Sequence, residues 1–256
     1  MFWEISFYMI DKISFNFSLS SSNLFLFLPE ILYRMDIEKN IFELKQNLPE
    51  NVRLVAVSKT KPNKDILTVY KAGHKIFGEN KVQDLMRKYE ELPKDIEWHF
   101  IGHPQSNKVK YIAPFISLIH GVDSLKLLKV INKEALKNNR TIKCLLQFHI
   151  AEESTKFGLS EPEAIEILDS PEYKELQHVK IIGVMGMATY TDDEDQIRNE
   201  FRVLKSIFNS LKKRYFAKSV LFTEVSMGMS DDYPIAIEEG STLIRVGSKI
   251  FGARNY

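Results

Sequence analysis

Along residues 35–256, apolar positions switch repeatedly between short continuous runs and a three- and four-residue period. The runs are "VRLVAVSK", "HKIFGEN", "EWHFIGH", "ISLIHGVD", "KCLLQFHIA", "VKIIGVMGM", "LFTEVSMGM" and "TLIRVGSKIFG". Each is short and rich in β-branched or aromatic residues, as a strand buried on both faces should be. The intervening segments read as helices. Ile197, Phe201, Leu204, Phe208 and Leu211 make one apolar helical face. Eight strands, each but the last followed by a helix, over about 220 residues, are the count of a single closed (β/α)8 TIM barrel, an α/β fold. A doubly wound open sheet would also alternate, but its G-x-G-x-x-G fingerprint is missing.

Local signals mark the helix ends. In "NKDILTVYKAGH", Asn63 is placed to cap the start and Gly73 to supply the left-handed stop. "SEPE" from Ser160 and "TDDE" from Thr191 both have capping-box spacing. No linker or internal repeat divides residues 35–256, so they read as one domain. Residues 1–34, crowded with Phe, Ser, Leu and Ile, lack this alternation and read as an extension that is not part of the fold. Acidic Glu4 and Asp11 and the lack of a small-residue cleavage site argue against a secretory signal.

Composition narrows the function classes. The 256 residues carry a net charge of +1, which gives no reason to expect nucleic acid or an anionic membrane as partner. No apolar run approaches the roughly 18 residues of a membrane span. The single cysteine, Cys144, lies in an apolar run and suits a reducing cytoplasm. His74, His99, His120, His149 and His178 share no metal-ligand spacing.

Barrels of this kind place their chemistry at the carboxyl ends of the strands. Those ends supply Lys59, Asn80, His103, Asp123, Met185, Met187, Ser226, Met229, Ser230, Arg245, Gly247 and Ser248. The loops "SMGMSDD" and "RVGSKIFG" follow strands seven and eight, where barrels commonly bind phosphate. Gly228 and Gly247 let backbone N–H groups approach an anion, and Ser226, Ser230 and Ser248 add hydroxyls. Asp231 and Asp232 would repel an anion and are better placed as helix caps. A strand-end lysine opposite such a cradle points to a phosphorylated aldehyde held as a Schiff base, and pyridoxal 5'-phosphate fits. An amine reacts only when neutral, and a pocket closed to water favours that form. Arg245 would face the pyridine nitrogen. Lys61 has the same strand parity as Lys59, so alternation does not separate them.

The motifs "AVSKTKP", "FGEN", "WHFIGHPQSNK", "SMGMSDD" and "IRVGSKIFGARNY" resemble those of the YggS/PROSC family of pyridoxal phosphate homeostasis proteins. The resemblance runs over residues 35–256 and implies a barrel like the N-terminal domain of alanine racemase. It selects Lys59 as the covalent attachment point and implies that the serines and glycines of the last two loops bind the phosphate. The residues matched are Ser226, Ser230, Gly247 and Ser248, with Met229 in the same loop and Arg245 on the ring nitrogen; Asn80 in "FGEN" reads either as a strand-end cap or as a further cofactor contact. It implies a monomeric cytosolic protein without an established reaction, serving vitamin B6 homeostasis, whose partners are pyridoxal phosphate and transient apo-enzyme acceptors. Pro104 departs from the pattern, where the family has an apolar residue; it restricts His103 and removes a backbone donor. The rival readings are an amino-acid racemase and a cofactor-free lysine aldolase. A racemase needs acid–base groups on both faces of the α-carbon. The second domain that supplies one of them in alanine racemase is not expected in the few residues after strand eight.

Overall fold

Eight parallel strands close on themselves in chain order. They are β1 Arg53–Val57, β2 Ile76–Glu79, β3 Glu97–Phe100, β4 Leu118–Val122, β5 Ile142–Gln147, β6 Val179–Met185, β7 Glu224–Ser226 and β8 Leu243–Val246. The computed structural model describes residues 21–152 and 157–252. The main helices outside the sheet are α1 Ser21–Gln46, α2 Asn63–Lys71, α3 Val82–Glu91, α4 Val109–Ile112, α5 Leu125–Lys137, α6 Glu161–Asp169, α7 Pro171–Lys174, α8 Glu194–Arg214, α9 Tyr233–Glu238 and α10 Ser248–Phe251. β1 pairs with both β2 and β8, which completes the closure. The (β/α)8 barrel is the architecture expected from the alternation, with one change. β8 is followed by the short helix α10, where none was expected.

Strand alternation sorts the side chains into two cores. Leu54 and Ala56 point outward and pack with Ile66 and Val69 of α2 in the layer between sheet and helices. Val55 points inward and meets Leu118, Leu145, Ile182, Met185 and Leu243 in a small core inside the barrel. Cys144 lies in the outer layer, where burial pushes its thiol pKa up, as a small hydrophobe rather than a reactive group.

Several helix ends differ from their sequence signals. The capping box from Ser160 forms, with Ser160 accepting from the Glu163 N–H and Glu163 reaching back. Gly73 takes φ +79° just after α2. Asn63 does not cap: Pro62 holds the N-cap position, and the Asn63 amide bonds Glu91 across the surface. In "TDDE" the cap is Asp193, which accepts from the Gln196 N–H, while Thr191 bonds the Asp193 N–H. The nearer carboxylate outcompetes the hydroxyl two residues upstream, since charge-assisted bonds are the stronger. The run "LFTEVSMGM" pairs as a strand only over Glu224–Ser226. Gly228, at φ +92°, turns the chain away immediately afterwards.

α1 crosses residues 34 and 35, where the sequence pattern changes. The Tyr33 hydroxyl lies 3.1 Å from both Asp65 Oδ2 and the Phe251 carbonyl. Asn40 donates to the Ile250 carbonyl at 3.2 Å, so α1 holds the end of α10 against the barrel. Residues 1–20 lie outside the described residues.

One buried ion pair ties β1 to β2. Lys88 of α3 donates to Glu79 Oε1 at 2.7 Å and to the Ser58 carbonyl at 2.8 Å. The Ser58 hydroxyl donates to the same Glu79 oxygen at 2.6 Å. All three residues are buried, and among the described residues Glu79 Oε2 has no hydrogen-bond partner. Removing one member of a buried pair strands a charge in low dielectric. Lys88→Met is therefore expected to destabilise the fold by about 3–5 kcal/mol. Adding Glu79→Leu should recover part of that loss, and denaturant midpoints of both variants check it.

Candidate functional site

The inward parity of the barrel carries polar as well as apolar side chains, and the polar ones converge. Val55 and Arg245 are neighbours in the β1–β8 register, as are Met185 and Ser226 between β6 and β7. Arg245 alternates with inward Leu243, so its long side chain enters the barrel interior. It is 4% exposed. Its Nη1 donates to Ser226 Oγ at 2.6 Å and its Nη2 to the Gly186 carbonyl at 3.0 Å. Among the described residues no carboxylate forms an ion pair with it. Burial lowers its pKa to about 10, with the attraction of Asp232 opposing that shift. It remains a cation at neutral pH.

Ser226 continues the contact inward. Its Oγ lies 3.0 Å from His120 Nδ1, and His120 Nε2 lies 3.1 Å from His99 Nδ1. Burial lowers the His99 pKa to about 3 and puts His120 well below the usual imidazole value, with His99 and Arg245 adding to the His120 shift. Both rings are neutral at pH 7. The two histidines had only a structural expectation from sequence. Their inward parity, shared with Ile101 just after β3 and with Leu118 in β4, is the signal that could have joined them to Arg245.

Above this chain stand the loops at the carboxyl ends of β7 and β8. The Ser230 hydroxyl accepts from the Gly247 N–H at 3.2 Å, which fastens the two loops to each other. Ser248 is exposed at the start of α10. A Cβ on Gly228 would come 2.6 Å from the Ala236 Cβ and 3.0 Å from the Tyr233 Cα, so any side chain there would collide with α9. Asp232 occupies the α9 N-cap position without capping through its side chain; its carboxylate accepts from the Met229 N–H instead. Thus Ser230, Gly247 and Ser248 come together, Met229 is held beside them, and Ser226 is drawn inward to Arg245.

Lys59 follows β1 by two residues, at the same end of the barrel as Gly247. The approach is close: a Cβ on Gly247 would lie 3.2 Å from the Val57 carbonyl oxygen. The structure separates the two lysines that alternation could not. Lys61 donates to the Phe251 and Gly252 carbonyls at 2.8 and 3.3 Å, at the end of α10. Between them Thr60 takes φ +67°, a rare left-handed conformation for a β-branched residue, and the chain turns there. Asn80, exposed after β2, packs its backbone against Gly102 of the next loop. Further round the rim, His103 Nδ1 lies 3.1 Å from Asp123 Oδ2, and its ring stacks on Phe157 at 4.5 Å. Pro104 is buried behind it. Met185 is barrel wall, with Met187 packed against the same inner core. Glu200 of α8 gathers the rim, accepting from the Thr189 and Glu152 N–H groups after β6 and β5. Among the described residues no cluster of His, Cys, Asp and Glu could hold a metal.

The family described as alanine racemase, N-terminal domain, matches residues 34–255. The pyridoxal phosphate homeostasis protein of Aquifex aeolicus is 41% identical over 206 residues, covering 80% of this chain and 88% of its own length. That of Escherichia coli K12 is 36% identical, covering 81% and 88%. The chain belongs to the pyridoxal phosphate homeostasis protein family.

PipY of Synechococcus elongatus, solved with pyridoxal phosphate bound, superposes with a TM-score of 0.76 at 34% identity, over 84% of this chain and all of PipY. The alanine racemase of E. faecalis shares the fold, with a TM-score of 0.67 at 13% identity over 58% of its length. In this family member, the buried unpaired guanidinium, the glycine turn that admits no Cβ and the strand-end lysine form a donor set suited to a phosphorylated pyridine aldehyde.

The buried histidines make acid sensitivity a testable property of the fold. Free imidazoles titrate near 6.5, whereas burial holds folded His74 at about 4 and His99 at about 3, with His120 also lowered. The unfolded chain therefore binds protons first as pH falls, and folding free energy is lost from pH 6.5 downward through those values. Each histidine should cost on the order of 2 kcal/mol between pH 7 and 5. Denaturant midpoints at the two pH values check this, and an unchanged midpoint would show that the rings are not buried neutral.

Proposed function

We propose that this protein binds pyridoxal 5'-phosphate at the carboxyl end of the barrel and serves in intracellular vitamin B6 homeostasis as a holder of the cofactor. The observation that carries the reading is the buried Arg245, cationic and without a carboxylate ion-pair partner among the described residues, beneath loops bearing Ser230, Gly247 and Ser248 and beside the Lys59 turn. Lys59 offers the amine that links to the aldehyde carbon. Ser230 and Ser248 offer the phosphate hydroxyl donors, in loops whose Met229 and Gly247 N–H groups are held by Asp232 and Ser230, and Ser226 fixes Arg245, which faces the ring nitrogen. Asn80 borders the ring from the β2 side. When bound, the cofactor supplies an electrophilic aldehyde and a ring able to accept electron density. An arginine beside the ring nitrogen donates a hydrogen bond without giving up its proton, which leaves the ring a weaker electron sink and favours holding over turnover.

The named function of relatives at 35–41% identity supports a homeostasis protein over an enzyme. The racemase reading rests on the match to the alanine racemase N-terminal domain, which the homeostasis proteins share as a fold, and on an alanine racemase structure at 13% identity. Among the described residues no helix is long and apolar enough to cross a membrane. A cytoplasmic monomer that meets apo-enzyme acceptors transiently is the form we propose. We also propose that residues 1–34 lie outside the functional barrel, supported by the family match that begins at residue 34. The Tyr33 bonds set the expected cost: a chain starting at residue 35 should bind cofactor like the full chain while melting somewhat earlier.

Incubation with pyridoxal phosphate, borohydride reduction and peptide mapping test the assignment. The label should fall on Lys59; Lys59→Ala should abolish both the label and the visible absorbance, and Lys61→Ala should keep them. Label on Lys61, or none, would refute the assignment. Charge-assisted hydrogen bonds are roughly twice as strong as neutral ones, so the phosphate should dominate the noncovalent affinity. Ser230→Ala or Ser248→Ala should weaken pyridoxal phosphate and leave unphosphorylated pyridoxal nearly unaffected. The wild type should exchange the α-proton of alanine far more slowly than a racemase; racemase-like turnover would promote the enzyme reading.

A further inference from the structure

The groups Arg245, Ser226, His120 and His99 form one hydrogen-bonded file from the mouth into the barrel interior. All four are less than 5% exposed, so the bulk solvent does not reach them. The order of donors along the file is forced from one end. A guanidinium has five N–H donors and no acceptor, so Arg245 must donate to Ser226 Oγ. The Ser226 proton must then leave in another direction, and among the described residues His120 Nδ1 is the acceptor within reach. An accepting Nδ1 places the proton of neutral His120 on Nε2, which donates to His99 Nδ1. His99 is thereby fixed as the Nε2–H tautomer too. A file with this single polarity allows Arg245 only one partner arrangement on its inner side. Nη2 is held separately by the Gly186 carbonyl, so two anchors at different nitrogens fix the plane of the guanidinium. Two of its five N–H groups are committed in this way, and the others remain for a ligand.

We propose that His120 and His99 are positioning residues for Arg245, acting through Ser226 to fix the plane of the guanidinium and the direction of every proton beneath it. This rests on the reading that Arg245 faces the ring nitrogen of pyridoxal phosphate. The role differs from that of a packing residue. An apolar side chain of similar size would fill the space at position 120, but it would leave the Ser226 hydroxyl without an acceptor. That hydroxyl would then turn, and Arg245 would lose one of its two anchors.

Two measurements test the proposal. In the cofactor-free protein at neutral pH, 15N NMR of the ring nitrogens should show His99 and His120 as neutral Nε2–H tautomers. A proton on Nδ1 of either ring would overturn the file. The second measurement compares pyridoxal phosphate with its carbocyclic analogue, in which CH replaces the ring nitrogen. The wild type should prefer the natural ring by about tenfold, the value of one charged hydrogen bond. His120→Leu and Ser226→Ala should each reduce that preference to about twofold or less by the same reasoning, with circular dichroism confirming that they fold. His120→Gln keeps an acceptor and a donor on one side chain and should restore the preference. If the leucine variant folds and retains the full preference, the positioning role is wrong while the ring-nitrogen reading stands. If the wild type shows no preference, the ring-nitrogen reading fails and takes the cofactor-directed part of this proposal with it; the tautomers then decide whether the file itself exists.

Discussion

A guanidinium enclosed in a protein barrel without a carboxylate partner is costly, and the arrangement of this molecule's interior follows from that cost. Charges leave water only when hydrogen bonds replace the lost solvation. Here the replacements are a serine hydroxyl and a backbone carbonyl, which satisfy two donors without neutralising the charge. A carboxylate in their place would have stabilised the apo fold and cancelled the positive potential at the mouth. The barrel instead keeps a fixed cation under the loops that follow β7 and β8, and neutral histidines complete the chain of partners. An anionic ligand with an unprotonated ring nitrogen supplies what this interior lacks.

The proposed covalent position is steadied from the other side. Glu79 and Lys88 form a buried pair that also grips both the hydroxyl and the carbonyl of Ser58, the residue before Lys59. One residue later Thr60 reverses the backbone, and Lys61 is fastened to the carbonyls at the end of α10. Lys59 therefore projects from a segment restrained on both sides. The same α10 begins at Ser248, in the loop that follows β8. The lysine turn and that loop are thus parts of one connected framework, and α1 clasps it from outside through Tyr33 and Asn40.

Much of this could be read in the sequence because the barrel enforces period. Strands buried on both faces must be short apolar runs, and eight of them alternating with amphipathic segments leave few other architectures. Lys59, Ser230, Arg245, Gly247 and Ser248 stood out because charged, hydroxyl and glycine residues at strand ends contradict the apolar run before them. The histidine file did not stand out. His99 and His120 sit inside apolar strands, where one polar residue resembles an ordinary core histidine, and their contact depends on the stagger of β3 and β4 across the closed sheet. Ser226 looked like another phosphate donor for a similar reason: sequence gives its strand end, whereas the register that aims it at Arg245 is a tertiary fact. The helix caps at Asn63 and Thr191 were misplaced because several adjacent polar residues could each serve, and only the exit angle of the preceding loop decides among them.

The central claim is that a buried arginine, protonated at neutral pH, meets the ring nitrogen of bound pyridoxal phosphate and leaves that nitrogen without a proton. The most direct measurement is the 15N NMR spectrum of ring-labelled pyridoxal phosphate bound to the protein at neutral pH. The account predicts an unprotonated, hydrogen-bonded ring nitrogen whose signal changes in Arg245→Met. A protonated pyridinium nitrogen, or a signal that Arg245→Met leaves unchanged, would contradict it.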